Sequence, residues 1–228
     1  LRTPGYALPG KALIIFTAAL LALAPHVASA QSQRDNYYRA EIVIVERIVQ
    51  PENVQERMAS RTPVTDQDIT EQMTVIREDG STATTLRLAP AGDLHLRNAA
   101  QRLENSGRYR VLMSAGWYQS FPPDYEGKPM RIAVGDWLAD AGHREVEGHI
   151  TIDRQRYLHV GVHLNHWQAG ESPMPLEEAN VDGDALQQKV GAELLTWIRE
   201  TRRMRSEEVH FLDSPTIGVL VFFRRVES

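Results

Sequence analysis

The chain has 228 residues, 42% of them hydrophobic, no cysteine and a formal net charge of −5. That length and apolar content suit one folded domain or two small ones. The absence of cysteine excludes a disulfide scaffold, a zinc ribbon, a thiol nucleophile, an iron–sulfur site and a Cys-anchored lipoprotein, and the acidic balance excludes a uniformly basic nucleic-acid binder.

The first 30 residues read as a secretory signal peptide. Arg2 and Lys11 supply a positive start, and Ala12 to Ala24 is an apolar run of 13. A membrane-spanning helix needs about 20 residues, so the run is too short to anchor the chain. Pro25 breaks the helix, and Ala28-Ser29-Ala30 is an A-x-A cleavage site. Cleavage after Ala30 leaves residues 31–228, with 23 basic against 30 acidic side chains and a net charge of −7. The mature chain is therefore expected outside the cytoplasm, with no membrane span.

Tyr38 to Val49 is rich in β-branched residues and apolar on both faces at its centre, which predicts a buried first strand ending before Pro51. Residues 52–91 are polar and weakly periodic. They read as an excursion, partly disordered or loosely packed, with a short strand at Met73 to Ile76. Asp93 to Ser106 is predicted helical, with Asp93 as N-cap, one apolar stripe of Leu96, Ala99, Ala100 and Leu103, and Gly107 as a left-handed cap. Tyr109 to Tyr118 follows as a strand. Gln119 to Glu145 contains Pro122, Pro123 and Pro129 and reads as mostly loop, with a short strand at Met130 to Val134.

Val146 to Trp167 is a predicted hairpin. Placing Ile152 opposite Leu158 keeps both apolar sets on one core, with a three- or five-residue connection. Residues 170–192 form a second polar excursion. Leu194 to Met204 and Glu207 to Phe211 read as strands, and Asp213-Ser214-Pro215 as a turn. Ile217 to Arg225 is a final strand, apolar on both faces, that could expose an edge. The expected fold is a single α+β domain: one mainly antiparallel sheet of about five to seven strands, with one principal helix packed on a face.

Two constellations could carry chemistry. One face of the hairpin's second strand holds Tyr157, His159, His163 and Trp167. In the expected register Thr151 opposes His159, His149 opposes Gly161 and Glu147 opposes His163. His149 is then diagonal to His159 and His163 at roughly 7–8 Å. His159 and His163 lie about 13 Å apart along the strand, too far to share an ion. The face reads first as a solvated sheet face or one packed under a loop, next as a site for a polar glycan or peptide stacked by Tyr157 and Trp167, and last as the metal site of a hydrolase using His149, His159 or His163 with Glu147. The second constellation is a basic block, Arg199, Arg202, Arg203 and Arg205, in an acidic chain. Guanidinium groups suit carboxylates and phosphates. They could equally pair with Glu200, Glu207, Glu208 and Asp213. No nucleophile-elbow, Ser-x-x-Lys, His-Glu-x-x-His or Walker spacing occurs, so the chain does not read as an enzyme.

Three blocks carry a family resemblance. Tyr109-Arg110-Val111-Leu112 leads to Trp117 and Gln119, and Arg156-Tyr157-Leu158-His159-Val160 follows. The third block is Arg202-Arg203-Met204-Arg205-Ser206, then Glu208 to Asp213, Pro215 and Gly218-Val219-Leu220-Val221. Together these resemble the CsiV family, periplasmic peptidoglycan-binding proteins of Gram-negative bacteria. The resemblance implies peptidoglycan as ligand, no cofactor, no enzymatic activity and a periplasmic location. It also implies support of a penicillin-binding protein through its lipoprotein activator. A protein-interaction module without glycan binding is the alternative. Ser214 and Ser114 stand where the family commonly has histidine, so no role resting on those histidines carries over. Tyr157, His159, His163, Trp167, Arg202, Arg203 and Arg205 are the expected ligand-binding residues.

Overall fold

The computed structural model describes residues 36–48, 69–170 and 192–226. The expected leader at 1–30, residues 49–51 at the end of the expected first strand, residues 52–68 of the first excursion and most of the second lie outside the described residues.

Strand β1 (Tyr37–Arg47) buries both faces, as its composition predicts. Ala40, Ile42 and Ile44 enter the main core. Val43 and Val45 point the other way, against Leu96, Ala100, Leu220 and Phe222. The same division explains the last strand, β10 (Ile217–Arg225). Both lie at the centre of a four-stranded antiparallel sheet, ordered β4 (Tyr109–Ser120), β1, β10, β9 (His210–Asp213). β10 is therefore not an edge: it pairs with β1 on one side and β9 on the other.

A second sheet has six strands, ordered β3 (Thr82–Ala83), β2 (Glu71–Ile76), β5 (Met130–Leu138), β6 (His143–Arg154), β7 (Leu158–Ala169), β8 (Ala192–Met204). Only the β2–β5 pairing in it is parallel. The expectation of one sheet with five to seven strands thus gives way to ten described strands in two packed sheets. Ala40, Ile42, Ile44, Val219 and Val221 of the smaller sheet share one core with Ile132, Ile150, Val160, Val162 and Leu164 of the larger. Alternation identifies which side chains are buried, and a sandwich satisfies that pattern as well as a sheet covered by a helix does.

One α-helix occurs among the described residues, α1 (Arg97–Asn105), packed on the outer side of the smaller sheet. Its stripe is as predicted and Gly107 adopts φ +67°, but its start is not. Asp93 belongs to a short 3₁₀ turn, and no side chain caps the helix locally. The fully buried Glu41 of β1 does this work from a distance. Its Oε2 accepts the Leu96 N–H at 2.9 Å, while Arg39 Nε donates to Oε1 at 2.8 Å. A carboxylate there also opposes the positive end of the helix.

Two expected loops are more ordered than their composition suggests. Met73 in the first excursion is fully buried, and the stretch from Gln119 to Glu145 contains all of β5 and the start of β6. The family-like residues Trp117 and Gln119 are structural. Trp117 is 1% exposed, its Nε1 donates to Gln119 Oε1 at 2.8 Å, and Gln119 Nε2 donates to Tyr125 Oη at 2.8 Å.

Candidate functional site

The register of the β6–β7 hairpin decides what its outer face can do. Ile152 opposes Val160, not Leu158, and Arg154 opposes Leu158 across the three-residue turn Gln155-Arg156-Tyr157. The expected register is therefore corrected by two residues. A shift of two leaves every side chain on its original face, so hydrophobic alternation cannot detect it.

The correction changes the neighbours. His149 lies directly across from His163, and their rings stack with centroids 4.8 Å apart and 28° between planes. β5 and β8 continue the row. Arg131 opposes His149, and His163 opposes Arg199. Arg131, His149, His163 and Arg199 thus form a line across four strands on the face away from the core. Arg199 Nη2 donates to Asn165 Oδ1 at 3.0 Å, and its guanidinium stands 4.7 Å over the Trp197 ring. One of five N–H donors is engaged in that bond. Arg131 is 3.8 Å from Glu147.

Below this row the face dips. Thr151, Gly161 and Thr201 pair across β6, β7 and β8. A Cβ at Gly161 would sit 2.6 Å from Thr151 Oγ1 and 3.3 Å from Thr201 Oγ1, so glycine keeps this saddle open between two hydroxyls. Beyond it lie Asp153, His159 and Arg203. Arg203 stands 4.7 Å over the Tyr157 ring, which is 39% exposed.

Four of the seven expected residues therefore share this face: Tyr157, His159, His163 and Arg203. The other three do not join them. Trp167 lies at the far end of β7 against the His143 ring, 5.2 Å away. Arg202 pairs with Glu200 at 2.7 Å and donates to the Phe211 carbonyl at 2.6 Å, tying β8 to β9. Arg205 pairs with Glu208 at 3.5 Å. Arg131, His149 and Arg199 complete the face. Arg131 lay in the expected short strand Met130 to Val134, and only the observed register sets it opposite His149 and His149 opposite His163.

A second polar group lies inside one end of the sandwich. Arg110, from the family-like Tyr109-to-Leu112 run, donates to Glu46 Oε2 at 2.7 Å, Glu145 Oε2 at 2.5 Å and Asp136 Oδ2 at 2.9 Å. His166 is 2% exposed, with Nε2 3.2 Å from Glu145 Oε1 and Nδ1 2.7 Å from Thr216 Oγ1. Ser214 borders this group through Thr196, at 3.0 Å. Burial, reinforced by the charge of Glu145, pushes the Glu46 carboxyl above its ordinary value. Burial also opposes ionisation of Glu145. Its hydrogen bonds with His166 and the Asp136 N–H, together with the Arg110 charge, nonetheless hold it down at about 2.

This arrangement makes stability depend on acid. Glu145 ionises more readily folded than unfolded, so its contribution is present above pH 4.5 and is lost as pH falls towards 2. Glu46 acts in the opposite sense and offsets part of that contribution. Urea unfolding at pH 6 and pH 2.5 is expected to show a larger loss of stability in wild type than in Glu145→Gln. Equal losses in the two proteins would contradict it.

Among the described residues, no helix is long and apolar enough to cross a membrane. A family model described as peptidoglycan-binding protein, CsiV, matches residues 14–226, nearly the whole chain. No curated protein and no solved structure matches it.

Proposed function

Since the chain belongs to the CsiV family of peptidoglycan-binding proteins, we propose that it binds peptidoglycan through the outer face of the larger sheet. The observation that carries this reading is the row Arg131, His149, His163, Arg199. Guanidinium and imidazole groups in line suit the carboxylates spaced along stem peptides. The adjoining saddle at Gly161, with hydroxyls at its rim and the Tyr157 ring beyond, suits a sugar ring. Such a ring presents hydroxyls at its edge and C–H groups on its faces.

The expected mature charge of −7 gives the site its meaning. A protein of that charge gains nothing from bulk attraction to an anionic wall, so binding must be local. The reading extends to a non-enzymatic accessory in the periplasm, released by cleavage after Ala30, with residues 31–228 as its domain. It supports cell-wall assembly through a penicillin-binding protein and its lipoprotein activator.

Co-sedimentation of the purified protein with isolated sacculi tests the proposal. The protein is expected in the pellet at moderate salt, released by high salt and displaced by soluble muropeptides. Recovery wholly in the supernatant across salt and pH would overturn the reading.

A further inference from the structure

We propose that Glu46, Glu145 and His166 form a divalent-metal site at the end of the sandwich, separate from the peptidoglycan-binding face. The three residues come from β1, β6 and β7, and so from both sheets. One donor atom from each lies within 4.8 Å of the other two. Glu145 Oε1 and Glu46 Oε1 are 3.2 Å and 3.9 Å from His166 Nε2.

Neighbouring groups aim these atoms. Arg110 engages the Oε2 atoms of both glutamates, and the Asp136 N–H also donates to Glu145 Oε2 at 2.9 Å. Both Oε1 atoms are thereby turned towards His166. On the other side of the imidazole, Nδ1 meets the Thr216 hydroxyl, which Thr196 Oγ1 supports at 2.5 Å. When Nδ1 carries the proton and donates it to Thr216, the Nε2 lone pair faces the two carboxylates. Outer-shell partners of this kind set the tautomer and ring orientation of metal-binding histidines.

Charge points the same way. Glu46, Glu145 and Asp136 place three carboxylates around the single guanidinium of Arg110. Glu145 is 10% exposed at its side chain and Glu46 21%. Negative charge left uncompensated in such a place is costly, and a divalent ion offsets it. The group opens onto a cavity of about 240 Å³ bordered by Glu46, Asp136, Glu145, His166 and Thr216, which leaves space for waters or a ligand on the ion's exposed side. Two carboxylate oxygens and one imidazole suit zinc, manganese or iron(II) over calcium. Tetrahedral ligands about 2.1 Å from a zinc ion stand roughly 3.4 Å apart, so binding draws Glu46 inward by about 1 Å.

The test uses the purified full chain, stripped with chelator and titrated with Zn²⁺ by calorimetry and with Co²⁺ by visible absorption. About one ion per chain is expected, with a Co²⁺ ligand-field band and a raised Tm. His166→Gln and Glu145→Gln are expected to weaken binding at least tenfold, while the double variant His149→Ala, His163→Ala leaves it unchanged. If the buried His166→Gln protein does not fold, Glu46→Gln at the more exposed rim provides the same comparison. Absence of saturable binding in the wild type overturns the proposal, because Arg110 then holds the carboxylates by itself. Binding that survives in His166→Gln or Glu46→Gln and disappears in the His149/His163 variant also overturns it, by placing the ion on the outer face. Sacculus binding is measured on the same samples, so failure of either reading is seen independently of the other.

Discussion

Replacing Gly148 with alanine is expected to destabilise the protein by about 3–5 kcal/mol and to abolish peptidoglycan binding with it. Gly148 adopts φ +152°, a conformation open in practice only to glycine. An added Cβ would lie 2.0 Å from the His163 carbonyl oxygen and 2.9 Å from the Leu164 Cα. Both are backbone atoms of β7, so no rotamer change relieves the overlap. Relief requires separating β6 from β7 at the rung beside His149 and His163. Gly142→Ala is the matched control. Gly142 also has a positive φ, +71°, but nothing lies within 4 Å of its added Cβ. It should cost about 1 kcal/mol, the conformational penalty alone. Urea unfolding at constant m-value measures both. A Gly148→Ala protein that loses no more than the ~1–2 kcal/mol of a left-handed penalty alone would show that the hairpin yields at this point.

The second large effect is on ligand binding. His163→Ala combined with Arg199→Ala is expected to weaken sacculus retention at least tenfold while the fold persists. A hydrogen bond to a charged group contributes about 1.5–3 kcal/mol, and about 1.4 kcal/mol is a factor of ten in affinity. Losing even one such contact reaches that threshold. Arg203→Ala should weaken retention less, since it lies beyond the Gly161 saddle. Arg202→Ala and Arg205→Ala form the contrasting pair. Their guanidinium groups are engaged with Glu200, the Phe211 carbonyl and Glu208. Retention should be unchanged for both, and Arg202→Ala should lower stability. Trp167→Ala should also leave retention unchanged. Undiminished retention after loss of both His163 and Arg199 would move the binding site off this face.

The basic block shows how far side-chain chemistry alone could be read. Four arginines in seven residues announce a cationic segment whatever the fold. Their roles are set by strand parity and by what lies across from each one. Arg199 and Arg203 emerge on the open face beside His163 and His159, while Arg202 faces the seam between β8 and β9. The helix start is a similar case. Asp93 has the chemistry of a local cap, but the cap comes from Glu41, more than 50 residues earlier in the chain. No local pattern signals a carboxylate delivered across a sheet.

The Glu46, Glu145 and His166 group was legible only in fragments. Glu46 ends a β-branched strand, Glu145 sat in an expected loop, and His166 follows the visible histidine pattern of β7 on its opposite face. Each residue is ordinary in its own segment.

By itself, the sequence determined the apolar faces of β1, β6, β7 and β10, the stripe of α1, the left-handed turn at Gly107 and the family. These depend on period, on backbone freedom at one residue and on short residue motifs, all of which act locally. The tertiary structure alone decided that there are two sheets, that His149 faces His163, and that carboxylates from β1 and β6 meet an imidazole from β7. The reason is that strand pairing is long-range and nearly degenerate. Registers two residues apart bury the same side chains, and only closure of the turn and the packing of one sheet on the other separate them.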